Sequence, residues 1–207
     1  MQAPASTQRT GLTEGWSLLG LLTLGILGMT AVVLGLNGTG ELGVRALIRA
    51  TARSSLLLFC AAYSASALLR FWPRPATRWL VRNRRGVGLG FAVSHTVHYA
   101  AVYAVSQINP EQFFDREGRS LTDVVTVGPV LMLLAMVVLS FDRTQAWVGR
   151  RGWQSVHWVM SLGFWLAFTA SYGGRTVEDS AYLPPALLLL ATMGLRIAAF
   201  IAKRAPR

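Results

Sequence analysis

Residues 16–36 read WSLLGLLTLGILGMTAVVLGL, a run that contains no charged side chain. A helix needs roughly 20 apolar residues to cross a bilayer, so this stretch predicts a membrane span. The run is longer than the apolar core of a typical signal peptide, and residues 37–40 offer no A-x-A cleavage site, so we expect it to be retained. Residues 1–15 are expected to form a disordered cytoplasmic tail.

Five further apolar stretches follow the first one. They lie at 54–69, 87–108, 124–141, 153–172 and 181–202. The stretch at 54–69 is short, but it is bracketed by Arg53 and Arg70, whose aliphatic stems can snorkel to the interface. Helices satisfy their own backbone hydrogen bonds in lipid. The sequence therefore predicts an all-α polytopic membrane protein, a six-transmembrane-helix bundle that forms one domain over 16–203 and has membrane lipid as a partner.

The composition excludes several classes of protein. Of the 207 residues, 53% are hydrophobic and 14% are charged, against about 25% charged residues in a typical soluble domain. There are 20 Lys and Arg against 9 Asp and Glu. Because these cations lie between apolar stretches, we expect membrane topology to explain them and no nucleic acid to bind. Cys60 is the only cysteine, which excludes a disulfide framework and any CxxC motif.

The distribution of charge predicts the orientation. With six spans, the two termini and the loops at 70–86 and 142–152 lie on one side, with thirteen Lys and Arg against two acidic residues. The opposite side has six cations and seven acidic residues. The positive-inside rule then places both termini in the cytoplasm. We expect a multi-pass protein of a bacterial inner (plasma) membrane.

All three histidines fall within predicted spans, where ionisable side chains are costly and often functional. His95 and His98 are three residues apart on one helix, so they share a face, and His157 is on another span. No Asp or Glu lies within the spans. Neutral imidazoles without carboxylates are typical of haem ligation in an apolar bundle, and they make a sparse set for zinc. The alternative is that each imidazole forms hydrogen bonds between helices.

These three residues are therefore the candidate cofactor-binding and metal-ligating residues, and we assign no catalytic residue. Measured from Arg151 and Arg85, His157 and His95 differ by roughly 6 Å in height, whereas His157 and His98 differ by about 10 Å. The spacing predicts one haem b held by His157 and either His95 or His98. Spacing favours His95 as the second ligand.

Two stretches resemble a known family. They are RRGVGL at 84–89 running into HTVHY at 95–99, and QAWVGRRGWQSVH at 145–157. Both are similar to motifs of the ferric reductase-like transmembrane domain superfamily, and within it to the haem-binding membrane subunit of the methionine sulfoxide reductase system. The resemblance covers roughly residues 50–200 and includes the count of six spans.

The resemblance implies a membrane cytochrome b that belongs to a larger oxidoreductase. In that family electrons pass from a cytoplasmic flavin or quinol donor, through haem, to a redox partner protein outside, so FMN or a quinone is a further expected cofactor. By position, His98 matches the family's third-helix haem ligand and His157 matches its first fifth-helix histidine. The family has a second histidine on the fifth helix, and here that position is Ala170.

Two alternatives remain open at this point. The substitution at Ala170 favours a haem-free scaffold of the same fold. A small transporter that uses the histidines as proton relays is the other alternative, although the lack of Asp and Glu within the spans speaks against it.

Overall fold

The computed structural model describes residues 11, 13–111 and 127–204. Within these ranges every regular element is helical, as the sequence predicted. The helices are α1 (Gly15–Asn37), α2 (Glu41–Phe71), α3 (Pro75–Arg82), α4 (Arg84–Ile108), α5 (Val127–Val138), α6 (Asp142–Gly174) and α7 (Leu183–Arg204). Two short 3-10 turns, Arg175–Val177 and Ser180–Tyr182, join α6 to α7. Most of the expected tail, the loop at 112–123 and the start of the fourth predicted span, 124–126, lie outside the described residues.

Three helical segments in the described ranges are long and apolar enough to cross a membrane. They are α1, α2 and the segment Ser180–Arg204, which includes α7. The α5–α6 pair would make a fourth if it is counted as one span, although its two helices are bent by 105°. Helix α4 is not among them, although its 25 residues are long enough. The described residues therefore give three or four helices of spanning character, where the sequence predicted six.

Helix α2 is longer than the second predicted span, because it begins at Glu41. Arg45, Arg49 and Arg53 lie within this extension of α2 beyond the predicted span. The three arginines recur every four residues and so occupy one face, while Val44 and Leu47 are buried on another face of the same segment. The segment therefore continues into the apolar part of α2 as one amphipathic helix.

Helices α2 and α4 form the most extensive helix pair in the described chain. Small hydroxyl side chains line their interface: Ser94 Oγ lies 2.7 Å from Ser54 Oγ, and Ser55 Oγ donates to Ser94 Oγ at 2.9 Å. Ser55 and Ser94 are fully buried. Small residues let the helix backbones approach closely, and their hydroxyls hydrogen-bond across the interface. This seam fixes the register of α4, and with it the position of His95 and His98.

Helix α1 packs along α4, and its first turns contact the glycine-rich start of α4. A Cβ added at Gly90 would lie 2.7 Å from Leu22 Cδ1, and one at Gly86 would lie 3.3 Å from the carbonyl oxygen of Gly15. The glycines of the stretch at 86–90 therefore serve close helix packing, and no strand precedes them as a dinucleotide fingerprint would require.

Helix α6 is broken near its start. Gly149 has φ of 75°, in the left-handed region that glycine adopts most easily. The Nε1 atom of Trp153 donates to the carbonyl oxygen of Leu139 at 2.9 Å, which ties the long part of α6 back to the end of α5. The break allows the part of α6 that contains His157 to run in its own direction, independent of residues 142–148.

Candidate functional site: two cavities that contain histidines

The larger of two cavities has a volume of about 700 Å³ and is formed mainly by α2, α4, α5 and α6. We call it the His98 cavity. Its wall includes His95, His98, Tyr99, Phe164, Ala170 and Tyr172. Ligand pockets commonly have volumes of about 300–1,000 Å³ and a mostly apolar lining with a few polar groups. The cavity therefore has the size and the lining expected of a site for an organic ligand.

The imidazole of His98 is held by the backbone of α2. Its Nδ1 atom lies 3.2 Å from the carbonyl oxygen of Ile48 and 3.2 Å from Thr51 Oγ1. The Thr51 hydroxyl donates its own proton to the carbonyl oxygen of Leu47 at 2.7 Å. Both neighbours of Nδ1 are therefore acceptors, so Nδ1 carries the proton and Nε2 keeps its lone pair. A histidine whose other nitrogen donates to a carbonyl is the usual arrangement of a metal-ligating imidazole.

His95 lies one turn before His98, and its ring is almost parallel to that of His98, with centroids 5.2 Å apart. Only 8% of His95 is exposed, and its Nδ1 atom is buried without a hydrogen-bond partner among the described residues. The rings of Phe91, Phe164 and Phe168 surround it at centroid distances of 5.2–5.6 Å. Because both histidines project from one face of α4, they cannot bind the iron of one haem from its two opposite faces.

The second cavity has a volume of about 360 Å³, and we call it the His157 cavity. His157 lines it together with Arg84 and Arg85 from the start of α4 and Trp153 from α6. The Trp153 and His157 rings pack with centroids 4.6 Å apart. The Nδ1 atom of His157 is buried and, within the described part of the chain, has no hydrogen-bond partner.

The structure does not bring His157 together with His95 or His98, so the predicted pairing of these residues on a single iron is not supported. Phe91 lines the His157 cavity, Phe164 lines the His98 cavity, and their rings are in contact with centroids 5.1 Å apart. The two phenylalanines form a wall between the cavities. The heights of the three histidines along their helices could be estimated from the sequence. The rotation of α6, which turns His157 into the other cavity, could not be predicted in this way.

Four arginines line the His98 cavity: Arg45, Arg49, Arg53 and Arg175. The Nε atom of Arg45 donates to Glu41 at 2.7 Å, while its Nη2 atom is buried without a partner among the described residues. Arg49 and Arg53 are exposed on the same helix face. Guanidinium groups at the edge of an apolar cavity are suited to binding carboxylates of a ligand.

The residues of the His98 cavity fit a haem with one protein ligand. Nε2 of the His98 imidazole is free to bind iron, and the aromatic wall is apolar. The arginines can bind the two propionate carboxylates of haem. The α6 residues that line the cavity, including Gly163, Ala167, Ala170 and Ser171, offer no second imidazole. No group of three or more His, Cys, Asp or Glu that could bind a bare metal ion occurs in the ranges that the structure describes.

The sequence analysis did not identify the carbonyl of Ile48 or the hydroxyl of Thr51 as parts of the site. A carbonyl group leaves no trace in the residue type, so no pattern could have indicated Ile48. Thr51 is a polar residue two positions from Arg49 and from Arg53, and its full burial is seen only in the structure, so the sequence offered no signal for its role. No protein-family model, curated protein or solved structure matches this chain.

Proposed function

We propose that this protein is the membrane subunit of an oxidoreductase and that it carries one haem b in the His98 cavity. The observation that supports this most strongly is the hydrogen bond between His98 Nδ1 and the carbonyl of Ile48, which leaves Nε2 available to a metal. The proposal retains the predicted topology, with six spans, both termini in the cytoplasm and insertion in a bacterial inner membrane.

Each part of the cavity has a role in this proposal. His98 ligates the iron, and the backbone of α2 holds its ring in place. Arg45, Arg49 and Arg53 bind the propionate groups of the haem, and the aromatic wall excludes water. When bound, the haem iron supplies one-electron chemistry, whose potential depends on the ligand and on the polarity around it.

The contacts between aromatic rings support a route for electrons through the protein. The His98 ring stacks on His95, His95 packs against Phe91, and Phe91 lines the His157 cavity. Electrons from a cytoplasmic flavin or quinol donor would approach from the side of the arginine-rich loop at 70–86. They would leave to a redox partner protein on the other side.

The test is an optical spectrum of the full-length protein, purified in detergent from cells supplied with haem. We expect a b-type spectrum after reduction with dithionite and about one haem per chain by the pyridine haemochrome assay. A colourless protein that is helical and monodisperse would contradict the proposal and favour the haem-free scaffold.

A further inference from the structure

The lining of the His157 cavity is both cationic and apolar. It includes Arg82, Arg84 and Arg85 near the start of α4 and Leu133, Met136 and Val137 of α5. His157, Trp153 and Ser161 lie on the α6 side. A cavity of this kind is complementary to an amphiphile that has an anionic group attached to an apolar chain.

The protein balances the positive charge of this cavity only in part, since Glu14 pairs with Arg82 at 3.5 Å and Asp142 pairs with Arg85. Asp142 is the only acidic residue of its described lining. Its carboxylate accepts a hydrogen bond from Arg85 at 2.9 Å, and its side chain is 85% exposed, so solvent screens most of its charge. Arg84 is half-buried and has neither a hydrogen bond nor an ion pair with any residue that the structure describes. Arg84 is therefore available to an anion.

A further cation lies behind the cavity wall. Arg196 of α7 donates from Nη1 to the carbonyl oxygen of Tyr63 at 2.7 Å, and its guanidinium lies over the Tyr63 ring, 4.0 Å from the centroid. Tyr63 lines the cavity, so Arg196 contacts a residue of the cavity wall. Arg196 therefore adds to the positive potential at the cavity.

The unpartnered polar atoms of the cavity are further observations that point to a ligand. Nδ1 of His157 and Nε of Arg85 are both buried without a partner in the described chain. A buried polar atom without a hydrogen bond costs about 1–3 kcal/mol. Oxygen atoms of a bound anion could satisfy both groups, whereas an uncharged occupant would leave Arg84 without a counter-charge.

We propose that the His157 cavity binds the phosphate group of an anionic phospholipid. Arg84, Arg85 and His157 contact the phosphate, and an acyl chain lies along Leu133, Met136 and Val137. The inference rests on the proposed topology, which places this cavity at the cytoplasmic headgroup level, but it does not require haem. A free phosphate has the same headgroup chemistry without the chain, so the experiment must distinguish the two sources.

The experiment is native mass spectrometry of the full-length protein in detergent, titrated separately with phosphatidylglycerol, phosphatidylcholine and inorganic phosphate. We expect one phosphatidylglycerol to bind at least about tenfold more tightly than phosphatidylcholine, which corresponds to about 1.4 kcal/mol. Arg84→Gln should abolish this preference and Arg84→Lys should largely retain it. Arg150→Gln is the matched control, because Arg150 is exposed on α6 outside the cavity lining.

Equal affinity for the two lipids would overturn the proposal, and so would equal loss of preference in the Arg84→Gln and Arg150→Gln variants. Binding of inorganic phosphate at an affinity equal to that of phosphatidylglycerol would show that the acyl chain contributes nothing, which also overturns the lipid assignment. If Arg84→Gln does not fold, the preference of the wild-type protein between the two lipids decides the question. Since the readout is a mass, its result is independent of whether haem is present.

Discussion

The Nδ1 atom of His98 on α4 lies 3.2 Å from the carbonyl oxygen of Ile48 on α2. This carbonyl is also within 3.1 Å of the Thr51 hydroxyl, which completes a small polar cluster where α2 faces the cavity. The imidazole is therefore oriented by the backbone before any ligand enters. Such preorganisation distinguishes His98 from His95 and His157, whose Nδ1 atoms have no partner in the described structure.

We predict that His98→Ala loses most of its bound haem, since the only preorganised imidazole of the cavity is removed. His157→Ala should retain haem near the wild-type stoichiometry, because His157 lies in the other cavity. Haem content per chain, measured by pyridine haemochrome on monodisperse fractions, checks both variants. Retention of haem in the His98 variant together with its loss in the His157 variant would show that the ligand has been misassigned.

A second prediction concerns the opposite wall of the His98 cavity. Ala170 of α6 lines this cavity and contributes no donor, so the wild-type haem should be five-coordinate and high-spin. Ala170→His would supply a second imidazole and should convert a substantial fraction to the low-spin state, seen by optical and EPR spectroscopy. Leu166→His is the control, because Leu166 is 54% exposed and does not line the cavity. A low-spin wild-type spectrum would mean that a second ligand already exists.

The helical character of the chain could be predicted, because an apolar stretch in lipid must satisfy its own backbone hydrogen bonds and a helix does so. Helix α1, for example, begins and ends within one residue of the predicted span 16–36. Helix α2 begins at Glu41, well before the predicted span at 54–69, because a segment that contains Arg45, Arg49 and Arg53 is not apolar enough to be recognised as part of a span. The histidines were found from the cost of burying them. Their division between two cavities depends on the packing of Phe91 against Phe164, and residue spacing contains no information about that contact.

The six-span topology predicts opposite sides for the two ends of α4. In a Cys60→Ala background, the Glu111→Cys variant should react with a membrane-impermeant maleimide in cells with a permeabilised outer envelope. The Arg74→Cys variant should react only after the inner membrane is opened. Thr39→Cys is the positive control, because residue 39 joins α1 to α2, both of spanning character. Protection of residue 111 would indicate that α4 does not cross the membrane.

The turn between α1 and α2 predicts a strong effect on stability at one glycine. A Cβ added at Gly43 would overlap the carbonyl oxygen of Gly38, whereas a Cβ at Gly40 would meet no atom within 4 Å. Gly38 itself has φ of 77°, so the turn has little freedom to move its carbonyl away. Gly43→Ala should therefore destabilise the protein by about 1–3 kcal/mol, the usual cost of overpacking. Gly40→Ala should cost less than about 1 kcal/mol. Thermal unfolding in detergent compares the two variants, and equal melting temperatures would show that the α1–α2 turn is looser than the structure indicates.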